Sequence, residues 1–204
     1  MNVLRLTMWG LMGVLLTLSP TVAQAQETEM ARLAKQSDEV LSKMRQVQLL
    51  DYIVPLFLKK DQINKLLLEI EKARKAAQDQ QKKEANQLAA LRTKLDAALE
   101  GGFKDNKLPE KALLEEISGI FRTFEAERIA VMLKNVDQVT TVMEREMTEA
   151  QRKAAGNSLL PSMFPANVKI EELDEKRKFR FFVQFIFLDS EAYPVLVELA
   201  KKAT

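Results

Sequence analysis

The stretch that most constrains the fold runs from Lys60 to Leu99, forty residues without a glycine or a proline. A helix of this length would extend for about 60 Å, and its apolar face needs partners from elsewhere in the chain. We expect Gly101 and Gly102 to end it, since glycine readily adopts the left-handed conformation that follows many helices. Apolar residues and alanines recur mostly at the three- and four-residue steps of one helical face, at Ile63, Leu67, Ile70, Ala73, Ala77, Ala85, Leu88, Leu91, Leu95 and Ala98.

A second stretch, from Glu110 to Ala155, has the same helical spacing of apolar residues, and only Gly119 favours a break in it. A short loop joins the two stretches, and their similar length favours an antiparallel hairpin. The residue numbers of facing positions should then sum to about 210. In this register Lys82 and Lys83 approach Glu127 and Arg128, and Leu88 and Leu91 approach Phe121 and Phe124.

The remaining segments also have helical patterns, so that we predict helices near 28–49, 59–100, 110–155, 169–188 and 190–202. The segment 179–188 is ambiguous, because its alternating phenylalanines also fit a strand. We favour a helix, since its flanks are helical and no second strand is available to pair with it. The predicted fold class is therefore all-α, with a long antiparallel helical hairpin and additional N- and C-terminal helices.

Residues 1–25 have the pattern of a cleaved signal peptide. Arg5 is followed by an apolar run from Leu6 to Leu18, and Ala23-Gln24-Ala25 has the small-x-small form of a cleavage site. The run is shorter than the ~20 residues that span a bilayer. We predict a single helical domain over residues 26–204, export to the periplasm or beyond, and no membrane insertion after cleavage.

Composition argues against catalysis and against several classes of partner. The chain has no histidine and no cysteine, which removes the commonest general base and the usual ligands of transition metals. Its 31 basic and 29 acidic residues nearly balance, so there is no general attraction to nucleic acid. We therefore expect no enzyme activity, no cofactor, no metal site and no nucleic-acid partner.

Two short boxes have the form apolar-x-x-x-Gln: Leu58-Lys59-Lys60-Asp61-Gln62 opens the first long helix, and Met147-Thr148-Glu149-Ala150-Gln151 lies near the end of the second. In the second box, threonine and glutamine have the spacing of a capping box, in which each side chain bonds a main-chain amide of the other residue. In the first box, Lys59 takes the threonine position and cannot accept such a bond. Leu58 and Ile63 can still form a hydrophobic staple across the helix start.

These boxes, in a helical and cysteine-free protein with a signal peptide, resemble the LTXXQ-motif periplasmic family of Spy/CpxP-like proteins. The motif residues are Leu58, Gln62, Met147, Thr148 and Gln151, and the departures are Lys59 for threonine and Met147 for leucine. The resemblance implies a cradle-like helical homodimer. It also implies an ATP-independent chaperone or envelope-stress protein that binds unfolded or envelope proteins.

Two other functions stay open at this point. One is a helical scaffold or adaptor that binds one specific envelope partner through its hairpin. The other resembles the Skp class of outer-membrane-protein chaperones, which are also helical and exported. That class has a small β body, whereas this sequence offers one strand candidate, at 179–188.

The phenylalanine-rich segment is the main candidate for partner or client binding outside the boxes. Its apolar residues occupy more of the helix circumference than one hairpin can cover, so we consider two roles for them. They form the core, or one face is left for a client or a second subunit. The residues of this hypothesis are Phe179, Phe181, Phe182, Phe185 and Ile186.

Overall fold

The computed structural model describes residues 20–164 and 168–203, with side chains for residue 29 and from residue 31 onwards. The described residues contain helices and turns and no strand, which confirms the all-α class. Most of the predicted signal peptide, residues 1–19, lies outside the described residues. The elements are α1 (Pro20–Ile53), a 3₁₀ turn (Val54–Leu56), α2 (Lys60–Asp105), α3 (Lys111–Glu146), α4 (Glu149–Ser158), two further 3₁₀ turns (Pro161–Met163 and Ile170–Glu172), α5 (Glu175–Phe182), a π-helical segment (Val183–Phe187) and α6 (Ala192–Lys202).

The chain divides into two compact units, residues 1–43 and 44–204. The described part of the first unit is helical and has an ion pair between Lys43 and Glu39. All packing and all sites discussed below belong to the second unit. In the part of the chain that the structure covers, no helix is both long enough and apolar enough to cross a membrane.

The α2–α3 hairpin has the predicted register. Lys94 pairs with Glu116 at 2.8 Å, Lys83 pairs with Glu127, and Lys65 Nζ lies 2.6 Å from Glu146 Oε2. The numbers of these pairs sum to about 210, as expected for an antiparallel hairpin with a short connection. Of the apolar residues that the register brings together, Leu91 and Phe124 are buried, whereas Leu88 and Phe121 stay exposed.

Several predicted boundaries are wrong. The first helix covers Pro20–Ile53 rather than 28–49, and the helix predicted from residue 169 begins at Glu175, after the 3₁₀ turn Ile170–Glu172. Helix α2 continues through Gly101 and Gly102, both of which keep a negative φ, and it ends at Asn106. Asn106 has φ 49°, the left-handed conformation that asparagine tolerates better than most residues, and the Lys107 N–H donates to the Gly101 carbonyl at 3.1 Å. The last residue of α2 is therefore Asp105, and the helix is ended by Asn106, five residues after Gly101.

The second long helix does not run to Ala155. Helix α3 ends at Glu146, Met147 is extended, and a new helix starts after Thr148. The physical reason is the capping box, because the Thr148 hydroxyl accepts from the Gln151 N–H at 3.2 Å and so satisfies a free donor of α4. Gly119 causes no break in α3, and Gly156 lies inside α4 rather than at its end.

The core of the second unit lies where the last turns of α1 (residues 44–53), the start of α2, the end of α3 and the C-terminal elements meet. Helix α5 and the π-helical segment pass through its middle, which confirms the helical prediction for 179–188. In the π-helical segment the Leu188 N–H donates to the Val183 carbonyl, five residues earlier, at 2.9 Å. The buried residues of the two elements are Phe179, Phe182, Val183, Ile186 and Phe187.

Candidate functional site: the box junction and the α2–α3 arm

The two boxes meet in the folded chain, although 89 residues separate their glutamines. Gln62 Nε2 donates to Gln151 Oε1 at 3.1 Å and also to the Glu146 carbonyl. Gln151 Nε2 donates to the Leu56 carbonyl at 2.9 Å. We call this network the box junction. It joins the start of α2 to the end of α3 and the start of α4.

The caps of the two boxes differ as the sequence suggests. Thr148 and Gln151 form both bonds of a capping box, since the Thr148 N–H also donates to Gln151 Oε1 at 2.9 Å. In the first box, the Lys59 N–H donates to Gln62 Oε1 at 2.8 Å, but the lysine ammonium offers no acceptor in return. Leu58 and Ile63 are both buried at the positions of a hydrophobic staple.

The box junction does not have the chemistry of an active site. Its hydrogen bonds join side-chain amides to main-chain groups, and neither partner titrates. Gln62 is 7% exposed, and Met147 beside it is buried. The junction is a buried polar network that fixes where three helix ends meet.

The phenylalanine segment is placed mainly in the core. Phe179, Phe182 and Ile186 are at most 1% exposed, so contacts within the chain cover them. Phe181 and Phe185 are half-buried and stack on each other with ring centroids 5.7 Å apart. Phe164 meets Phe181 edge to face at 5.1 Å. Of the five residues proposed as a binding surface, only Phe181 and Phe185 are partly accessible to solvent.

The outer part of the hairpin contrasts with this core. Among the described residues, the core cluster includes none of α2 beyond Ile70 and none of α3 before Val136. We call residues 71–135 the arm. Its few buried residues include Leu91 and Phe124. Many of its large apolar side chains are exposed, namely Leu88, Leu99, Phe103, Leu108, Leu114, Phe121, Ile129, Met132 and Leu133.

Four of these exposed side chains, together with the half-buried Leu95, fall on one side of the arm. At 3.6 residues per turn, Leu88, Leu95 and Leu99 form a row about a quarter turn from the face of α2 that meets α3. Leu114 and Phe121 form a row at the corresponding place on α3. Because the helices are antiparallel, both rows lie on the same side of the pair. We call it the apolar side: Leu88, Leu95, Leu99, Leu114 and Phe121.

Ion pairs lie on the opposite side. By the same counting, Lys94 and Glu116, which are 2.8 Å apart, fall on the side of the arm away from Phe121. Lys83 and Glu127 fall there as well, and they form a second ion pair between the helices. The arm thus presents a charged side and an apolar side.

Sequence reasoning missed one feature of the arm, the burial of Glu84. The apolar residues of the stretch 71–87 are all alanines, which gives no sign of a buried charge, yet Glu84 is 4% exposed and is paired with Arg128 and Gln80. The hydrogen bond from Arg128 is the main cause that lowers the pKa of the Glu84 carboxyl, while burial opposes it. The hairpin register places Arg128 beside Glu84, so the register and the charges together could have predicted this pair.

Hydrogen bonds also lower the pKa of a neighbouring carboxyl, that of Glu127. Lys83, and after it Gln80, donate to Glu127 and lower the pKa of its carboxyl. Both acids therefore stay ionised in the folded arm. Across the described residues, no group of three or more acidic, histidine or cysteine side chains is placed to hold a metal ion.

Comparisons of the chain with models of known protein families, with curated proteins and with solved structures found no match. The folded chain itself therefore provides the observations on which a function is proposed below.

Proposed function

We propose that this protein is an exported, ATP-independent binding protein that holds apolar segments of unfolded or envelope proteins on the apolar side of the arm. One observation carries the proposal: five large apolar residues, four of them exposed, follow one side of a helix pair whose other side is crossed by ion pairs. Contiguous exposed apolar surface of this kind marks interaction sites. Two parallel rows of leucine and phenylalanine suit amphipathic partners of varied sequence.

The resemblance to the LTXXQ-motif periplasmic family supports the same function. The two box glutamines contact each other, so the boxes form one structural unit in the folded chain. A scaffold or adaptor with a single envelope partner would use the same surface. The two functions differ in how many partners the surface accepts.

The test measures aggregation of three chemically different unfolded proteins, without nucleotide, in the presence of the mature chain. We expect suppression of all three, and we expect Phe121→Asp to weaken it severalfold. Phe121 is 61% exposed, so the substitution should leave the core intact. The matched control is Leu68→Asp, since Leu68 is 58% exposed on α2 outside the arm. The control should suppress aggregation as the unchanged chain does.

Equal activity of both variants would contradict the location of the site. The scaffold function would be favoured over the chaperone function if the chain suppressed the aggregation of no client but bound one protein from an envelope extract tightly. Because the family resemblance implies a homodimer, sedimentation of each variant is measured too. A variant that loses both dimer and activity would show that the apolar side binds a second copy.

A further inference from the structure

The two helices of the hairpin are thinly packed where the arm joins the core. We call residues 71–83 of α2 and 129–135 of α3 the base of the arm, and the core cluster includes none of them. Of these residues only Ala73 and Asn135 are buried. Helices that meet through one alanine and one asparagine gain little free energy from apolar burial. The base is therefore held closed less strongly than the core.

A cavity of about 300 Å³ lies beside the base. Its lining includes Ala73 and Ala77 of α2, Val131 of α3, and Leu188 from the segment after the π-helical turn. A space of this size can hold several water molecules. Because protein interiors are normally close-packed, the helices of the base have room to move that the helices of the core lack.

Two buried polar side chains at this level have an atom without a hydrogen bond. Asn135 Nδ2 donates to the Ala73 carbonyl at 3.2 Å, but Asn135 Oδ1 has no partner among the described residues. The hydroxyl of Thr140, five residues further along α3, has none either. A polar atom that is buried without a hydrogen bond is unfavourable. Contact with water would therefore stabilise both groups.

We propose that the arm opens locally at its base. Helices α2 and α3 separate there, water enters the cavity, and Asn135 Oδ1 and the Thr140 hydroxyl form hydrogen bonds with water. The separation loses little apolar contact, because the base buries little, and the new hydrogen bonds offset part of that loss. Openings of this kind occur at a lower free energy than global unfolding. The opening does not depend on client binding at the apolar side of the arm.

Thiol labelling of the full mature chain measures the opening, because the chain has no cysteine and an introduced one is its only thiol. Ala73→Cys places the thiol in the base, and Val195→Cys places it in the core. Both original side chains are 6% exposed, so the closed state protects both thiols from a maleimide. We expect Ala73→Cys to react at least ~10 times faster, since the thiol of Val195→Cys is reached only by a larger unfolding.

A second substitution in the Ala73→Cys chain tests the cause of the opening. Thr140→Val keeps the shape of the side chain and removes the unpaired hydroxyl. Asn135→Leu removes the unpaired oxygen and fills part of the cavity. Each should slow the labelling by about fivefold, since the closed state then has one unfavourable buried group fewer. Thr141→Val changes the exposed threonine beside Thr140 and is the matched control, which should leave the rate unchanged.

Equal labelling rates of Ala73→Cys and Val195→Cys would overturn the proposal. A labelling rate of Ala73→Cys that Thr140→Val does not reduce would overturn it as well. If Thr140→Val slowed the labelling of Val195→Cys to the same extent, the hydroxyl would act on global unfolding, and a local opening would be disproved. Thr140→Val decides the outcome alone if the Asn135→Leu chain does not fold.

Discussion

At the scale of single residues, the side chains of Gln62 and Gln151 form hydrogen bonds through both the oxygen and the nitrogen of the amide group. Each amide oxygen accepts a hydrogen bond from a main-chain N–H of its own box, and each amide nitrogen donates one to a main-chain carbonyl outside that box. The two side chains also bond each other. The glutamine of each box is therefore the residue that converts a helix cap into a tertiary contact.

Removal of one glutamine should destabilise the junction. Gln62→Ala removes the partner of the Lys59 N–H and of the Glu146 carbonyl at a partly buried place, which costs about 0.5–1.5 kcal/mol per hydrogen bond. Urea unfolding of the variant measures this loss. Gln78→Ala, an exposed glutamine of the same helix, is the matched control and should stay close to the unchanged chain. Equal stability of the two variants would show that the junction bonds contribute nothing.

Two glycines inside helices should respond in opposite ways to alanine. A Cβ at Gly156 would lie 2.9 Å from Lys178 Cβ and 3.2 Å from the Phe179 nitrogen, so α4 and α5 would have to separate. We expect Gly156→Ala to lose about 1–3 kcal/mol of unfolding free energy. A Cβ at Gly119 meets nothing within 4 Å, and Gly119→Ala should gain about 0.4–1 kcal/mol. Paired urea titrations check both signs, and a gain for Gly156→Ala would disprove the close packing of α4 on α5.

At the scale of elements, the C-terminal helices are packed into the core, whereas the arm has few buried residues. The π-helical segment buries its apolar residues in the core, where α3, α5 and α6 pack against it. The arm has two helices and only a few buried residues, of which Glu84 is ionised. Its stability therefore depends on ion pairs between α2 and α3 to a larger extent than that of the core.

This difference predicts an acid response of the arm. The pKa values of Glu84 and Glu127 are lowered in the folded state. Their stabilisation is therefore complete above the ordinary glutamate pKa of about 4.3, and it is lost as the pH falls through the lower folded values. Thermal melts followed by circular dichroism from pH 7 to pH 3 should show a falling stability. The decrease should be smaller in Glu84→Gln, and an identical pH profile for the variant would rule out a role of this pair.

At the scale of the whole molecule, local stability should follow burial. Amide hydrogens on the core side, in α5, the π-helical segment and the first turns of α2, lie among fully buried side chains. Amides of the outer arm, near Leu99 and Leu114, lie among exposed ones. A region with few buried apolar contacts opens at a lower free energy than the core does.

Hydrogen exchange followed by mass spectrometry measures this difference. We expect peptides from residues 90–120 to exchange much faster than peptides from residues 175–200. An apolar client or a dimer partner on the arm should slow exchange in the first group and leave the second unchanged. Uniform protection of both groups in the free protein would show that the arm does not open separately.

The sequence was sufficient for the features that depend on local spacing. The three- and four-residue recurrence of apolar residues predicts α2 and α3, and the short loop between them leads to the register that Lys83–Glu127 and Lys94–Glu116 confirm. The box at Thr148 likewise contains the signal for a helix start. We misread it because the apolar pattern of α3 continues through Met147, and spacing alone does not show that a cap interrupts it.

Only the tertiary structure decided the features that depend on long-range competition. Gly102 and Asn106 can each end a helix locally, and the chain ends α2 at the asparagine. The phenylalanine segment has apolar residues on more than one face, so its sequence is compatible with a core or a surface, and only the folded chain shows that Phe182 is buried. The contact between Gln62 and Gln151 depends on how three helices pack. Periodicity describes one helix at a time, whereas burial is a property of all the helices that share the core.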